Sequence, residues 1–134
     1  MATALVGGDE DLQRRVRLHQ ERRPPGWATL EIGSLDDILD AAQGWDAVLL
    51  DSLTLWVSAR EGGRALAEFD RFLAGAGDLA VPLLLVSDEV GLGVVPENDA
   101  GRKFRDALGL VNQRAADAAG EVHLCVSGIG LRIK

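Results

Sequence analysis

Apolar residues in this chain fall into two arrangements: stripes at intervals of three and four positions, and short unbroken runs closed by glycine, proline or an acid. The stripes predict helices and the runs predict strands covered on both faces. Leu12, Val16 and His19 share a face of a helix predicted from Asp9 to Arg22. That helix opens on Asp9, Glu10 and Asp11 and closes on arginines, which complements its dipole at both ends, and Pro24-Pro25 stops it. A short strand, Ala28 to Ile32, leads to Ser34, a capping residue with Asp37 three positions on as its reciprocal partner. Leu35, Ile38, Leu39 and Ala42 then form a helical apolar face that ends at Gly44.

Ala47 to Leu50 runs as a continuous apolar strand ending in Asp51. Leu66, Phe69 and Leu73 mark a helix from about Arg64 to Leu73, closed by Gly75-Ala76-Gly77. Pro82 opens the strand Leu83 to Val86, where a missing amide is tolerated at the first position. The stretch Ser87 to Asn98 reads as a loop, and a long helix from about Gly101 to Ala118 carries Phe104, Leu108, Val111 and Ala115 on one face. Val122 to Val126 reads as the last core strand, after which Gly128-Ile129-Gly130 turns into a terminal strand, Leu131 to Lys134. Strands alternating with helices predict an α/β fold, a mostly parallel sheet with helices on both faces. Ligands of such sheets collect outside the carboxyl ends of the strands. Asp51, the Ser87 to Asn98 loop and the start of the chain are therefore expected on one rim.

Composition narrows the ligand. The length, 134 residues, suits one domain, and 47% hydrophobic with 26% charged residues is globular rather than disordered composition. The net charge is -7, yet five of the fourteen Lys and Arg residues, Arg14, Arg15, Arg17, Arg22 and Arg23, crowd into ten positions. An acidic chain with one small basic cluster argues against nucleic acid, which needs a broad basic surface, and suits a nucleotide-sized anion. No stretch reads as a signal peptide or a membrane span, and Cys125 stands alone, so a cytosolic setting is expected. Cys125 lies within an apolar run and is expected to be buried; one Cys125–His123 pair is too little for zinc.

From spacing alone, His19 reads either as the edge of the helix's apolar stripe or as a catalytic imidazole standing beside arginines. Asp51 reads either as a strand-end ligand for Mg²⁺ or as the start of the turn that caps the next segment. Asp88, Glu89, Glu97 and Asn98 on the long loop read as substrate-facing or, at least as readily for the acids, as simply solvated.

The stretch Val86-Ser87-Asp88-Glu89-Val90-Gly91-Leu92-Gly93-Val94-Val95-Pro96-Glu97-Asn98, with Phe104-Arg105-Asp106, Val111-Asn112-Gln113 and the closing Val126-Ser127-Gly128-Ile129-Gly130, closely resembles the bifunctional adenosylcobinamide kinase / adenosylcobinamide-phosphate guanylyltransferase family of cobalamin biosynthesis. Upstream, Arg15-Val16-x-x-His19-x-x-x-Arg23-Pro24 and Trp27-x-x-x-Glu31 resemble its guanylylation segment, and Ala2-Thr3-Ala4 resembles a nucleotide-contacting strand end. The resemblance covers essentially the whole chain. It implies a P-loop NTPase-like (RecA-like) fold, GTP or ATP as a substrate carried with Mg²⁺ and no tightly bound cofactor, adenosylcobinamide or its phosphate as acceptor, and a homotrimer. It also implies that His19 is the nucleophile forming a guanylyl-histidine. Nucleotide contacts are then expected from Ala2, Thr3, Ala4, Gln20, Glu21, Arg22, Arg23, Glu31 and Asp51, with Asp51 holding the metal.

The family pattern includes a strand and a G-G-x-R-S-G-K-S loop ahead of the Ala-Thr element, and residue 1 of this chain falls at that element. Gly7-Gly8 is no substitute, because no Lys-Ser or Lys-Thr follows it and acids do. The expectation is an N-terminally truncated form, first strand and P-loop absent, that retains guanylyl transfer rather than the kinase step. The rival expectation is a non-catalytic remnant or partner subunit that needs a separate P-loop segment.

Overall fold

The computed structural model describes residues 14, 17, 18, 21, 25–60 and 64–134. Of the first helix, Arg14, Arg17, Leu18 and Glu21 are described, and all four are helical and exposed. The Ala28 to Ile32 segment is not a continuous strand, since only Glu31 within it makes a β-bridge.

Helix α1, Asp36–Ala41, starts as its sequence expects. The Asp37 carboxylate accepts the Ser34 and Gly33 amides at 2.8 and 3.0 Å, while the Asp37 amide donates to Ser34 Oγ at 3.4 Å. The Asp37 amide of the first turn is thereby satisfied by a side chain, and the Ser34 amide by the reciprocal carboxylate. Leu35, Ile38 and Ala42 are buried on the inward face, and Gly44, with φ 89°, ends the turn that follows.

Strand β1, Val48–Asp51, runs directly into α2, Leu53–Ser58, and the buried Ser52 caps that helix by accepting the Leu55 amide at 3.3 Å. The expected turn after Asp51 is therefore a helix, and its cap is Ser52 rather than Asp51. Helix α3, Arg64–Ala76, buries Ala65, Phe69 and Phe72 completely and leaves Leu66 and Leu73 at the edge of the core. Trp56 of α2 and Phe72 flank Phe69 with ring centroids 6.0 and 5.9 Å away. Arg60 closes this corner: its guanidinium lies 4.1 Å from the centre of the Trp56 ring, donates to the Trp56 carbonyl and pairs with Glu68 at 2.7 Å. A stacked, mostly covered arginine of this kind secures a helix end by packing as well as by charge.

Strand β2, Leu83–Val86, pairs in parallel with β1, with Val48 opposite Leu83 and Asp51 opposite Val86. A single 3₁₀ turn, Val90–Leu92, interrupts the loop that follows, and Asn98 caps α4, Asp99–Ala118, by accepting the Gly101 amide at 2.7 Å. Helix α4 packs on α2 and α3 through Leu108 and Val111, with Phe104 and Ala115 beside them.

The last strands depart from expectation. Strand β3, His123–Val126, does not join the parallel pair but forms an antiparallel hairpin with β4, Ile129–Arg132. Ser127 and Gly128 link them with φ of 53° and 80°, the left-handed pair that matches a two-residue hairpin turn to strand twist. Local pairing through that turn gives β3 a partner on one edge, outside the parallel pair; the strand is mostly exposed rather than core, and Cys125 is exposed rather than buried. His123 pairs with Glu121 at 3.2 Å. Among the described residues the fold is mixed α/β, with a two-stranded parallel sheet and a separate antiparallel hairpin in place of a mostly parallel sheet. No helix among them is long and apolar enough to cross a membrane.

Candidate active site

Because β1 and β2 are parallel and in register to their last residues, the half-buried Asp51 and the segment after Val86 emerge on the same rim. That is the position where parallel sheets present ligand sites. Two helices supply the walls of this rim. The first turn of α2 brings Thr54, whose Oγ1 accepts the Asp88 amide at 2.9 Å. Helix α4 brings Asn112, whose Oδ1 accepts from Ser87 Oγ at 2.6 Å and whose Nδ2 donates to the Asp88 carbonyl at 3.1 Å and to Glu89 Oε1 at 3.0 Å.

The rim that sequence spacing expects is thus present for Asp51 and for the loop. Glu31 and Glu21 are exposed. His19, Gln20, Arg22, Arg23, Ala2, Thr3 and Ala4 lie outside the described residues. Thr54, Ser87 and Asn112 were not among the expected site residues. Ser87 and Asn112 meet across 25 positions, a pairing that no local pattern announces.

Two hollows adjoin these elements. A shallow groove of about 410 Å³ runs along α4 between Gly91 and Gln113, lined also by Arg105, Asp106, Gly109 and Leu110. A second, of about 220 Å³, lies around Val48 at the amino end of β1 and is walled by Trp27, Leu30 and Trp45. The first borders the loop of the Asp51 rim; the second lies at the opposite end of the strand.

Among the described residues no three His, Cys, Asp or Glu side chains converge on one point. A single half-buried carboxylate at a strand end does suit Mg²⁺, which keeps waters and takes one or two carboxylates plus substrate phosphate oxygens.

The sequence model of the cobinamide kinase / cobinamide phosphate guanyltransferase family matches residues 1–133. The chain belongs to that family. The bifunctional adenosylcobalamin biosynthesis protein CobU of Salmonella typhimurium is 38% identical over 145 positions, covering 94% of this chain and 80% of the relative. Its namesake from Escherichia coli is 36% identical with the same coverage. The bifunctional adenosylcobalamin biosynthesis protein CobP of Pseudomonas aeruginosa is 33% identical over all of this chain and 80% of its own length. A cobinamide kinase and guanyltransferase family works on nucleotide and cobinamide substrates, and the relatives place it in cobalamin biosynthesis.

Proposed function

We propose that this chain transfers a guanylyl group from GTP to adenosylcobinamide phosphate through His19, on a P-loop NTPase-like (RecA-like) framework. The observation that carries the reading is the shared rim of Asp51 and the Ser87–Asn98 loop at the carboxyl ends of a parallel pair, in a member of a guanyltransferase family. A neutral imidazole nitrogen of His19 attacks the α-phosphorus. A P–N bond forms, the bond to the bridging oxygen breaks, and pyrophosphate leaves. The acceptor's phosphate oxygen then attacks the same phosphorus, the P–N bond breaks, and free His19 returns. The attack requires the neutral form of that imidazole, whose ring nitrogen then carries the free lone pair. Arg22 and Arg23 hold phosphate oxygens bidentately and offset charge growing on pyrophosphate. Ala2, Thr3, Ala4, Gln20, Glu21 and Glu31 complete the nucleotide contacts. Asp51 holds Mg²⁺, whose contribution when bound is to neutralise phosphate charge.

The kinase half calls for a glycine loop carrying Lys-Ser or Lys-Thr, which is not among these 134 residues. A second reading, as a subunit that works together with a partner chain, draws on a specific observation. Among the described residues β2 pairs with β1 alone, while Leu84 and Val86 on it and Val126, Ile129 and Leu131 on the hairpin are exposed apolar side chains. Such surfaces favour association, and they also suit a homotrimer. A cytoplasmic setting fits the exposed free thiol of Cys125.

A covalent intermediate makes the first half-reaction reversible without any corrinoid. Incubated with GTP, Mg²⁺ and labelled pyrophosphate, the protein is expected to move label into GTP. Transfer to acceptor without this exchange would replace the two-step route by direct displacement, and neither exchange nor transfer would favour the second reading.

A further inference from the structure

We infer that Asn112 is a positioning residue for nucleotide binding, which keeps the Glu89 carboxylate tethered to α4 and off the phosphate-binding rim. This rests on reading the Asp51 rim as the nucleotide site. Asn112 follows the fully buried Val111 on α4, and its half-buried carboxamide reaches the loop at the core boundary. Its oxygen takes the Ser87 hydroxyl, and its nitrogen serves both the Asp88 carbonyl and Glu89 Oε1. One side chain thereby grips three successive residues, using both its acceptor and its donors. On the other side the Asp88 amide is held by Thr54, three residues beyond Asp51. The loop is therefore clamped between α4 and α2 where it leaves β2.

The clamp matters because of what it restrains. Glu89 is exposed and three residues past Val86, the register partner of Asp51. A carboxylate free to swing over a triphosphate would repel it, whereas an amide N–H donor holds that carboxylate on the helix without adding charge. Asp88, the other acid of this segment, has its backbone fixed from both sides. Releasing one negative charge to about 12 Å from a phosphate charge weakens binding by about tenfold at an effective dielectric of about 20.

The test is calorimetric titration of the whole chain with the Mg²⁺ complex of α,β-methylene GTP, a nonreacting analogue, alongside thermal melting. Asn112→Ala is expected to weaken binding about tenfold. Asn112→Ala with Glu89→Gln is expected to return to near the wild-type affinity, although glutamine cannot rebuild a bond to alanine. Glu89→Gln alone is expected to change little, since its carboxylate is already tethered. A purely structural Asn112 would show loss without that rescue, and this or an unaltered affinity in Asn112→Ala overturns the inference while leaving the nucleotide site standing. No binding by the wild type would instead overturn the reading of the rim, and the inference with it. If Asn112→Ala does not fold, Asn112→Asp sets a like charge against Glu89, and Asn112→Asp with Glu89→Gln restores both net charge and a donor; recovery of affinity in that pair supports the tether and its absence overturns it.

Discussion

Asn in place of Asp51 is expected to slow guanylyl transfer by roughly two to three powers of ten while leaving the melting temperature nearly unchanged. The substitution keeps shape and removes charge. Asp51 is half-buried at the end of β1, opposite Val86, and its side chain makes no hydrogen bond to the other described residues. The cap of α2 is Ser52, and the backbone pairing of β1 does not involve the carboxylate. In the proposed reading, that negative charge serves Mg²⁺ carried with GTP. Steady-state release of pyrophosphate across a Mg²⁺ titration measures the effect. A rate within about threefold of wild type, too small for loss of a metal ligand, would remove Asp51 from the metal site.

Phe69→Ala is expected to destabilise the fold by about 3–5 kcal/mol, a large share of the roughly 5–15 kcal/mol typical of a native domain. Phe69 is completely buried where α2, α3 and α4 meet, and its ring touches Trp56 and Phe72. Those neighbours are themselves locked, Trp56 by the overlying Arg60 and Phe72 by full burial, so the cavity cannot collapse cheaply. Phe69→Leu, which keeps most of the volume, is expected to cost less than half as much. Urea unfolding should show a lower midpoint at an unchanged slope. A loss under about 1 kcal/mol for alanine would mean that this corner is loosely packed.

Much of this fold is legible in the sequence where information is local. The Ser34–Asp37 capping box announces α1, and the Leu108–Val111 stripe announces the buried face of α4. The apolar run closed by Asp51 places that acid on a rim without any structure. Helix α2 escaped because six residues cover less than two turns, too short for a helical period to stand out from the apolar run Leu53-Thr54-Leu55-Trp56-Val57. The stripe on α3 was read one position askew: Phe69 is central, but Ala65 and Phe72, not Leu66 and Leu73, lie deepest. The run Val122 to Val126 reads as core by hydropathy alone, yet the Ser127-Gly128 turn gives it a local partner and leaves it at the surface. The Ser87–Asn112–Glu89 contacts join residues more than twenty positions apart, and only packing of α4 over the loop creates them.

The most direct measurement is the mass of the peptide spanning residue 19 after the protein has met GTP and Mg²⁺ without corrinoid. The expected result is a GMP adduct on His19 that acid removes and alkali spares, as a phosphoramidate should behave, with no adduct in His19→Ala. An adduct on another residue, or none while acceptor is still guanylylated, would contradict transfer through that imidazole.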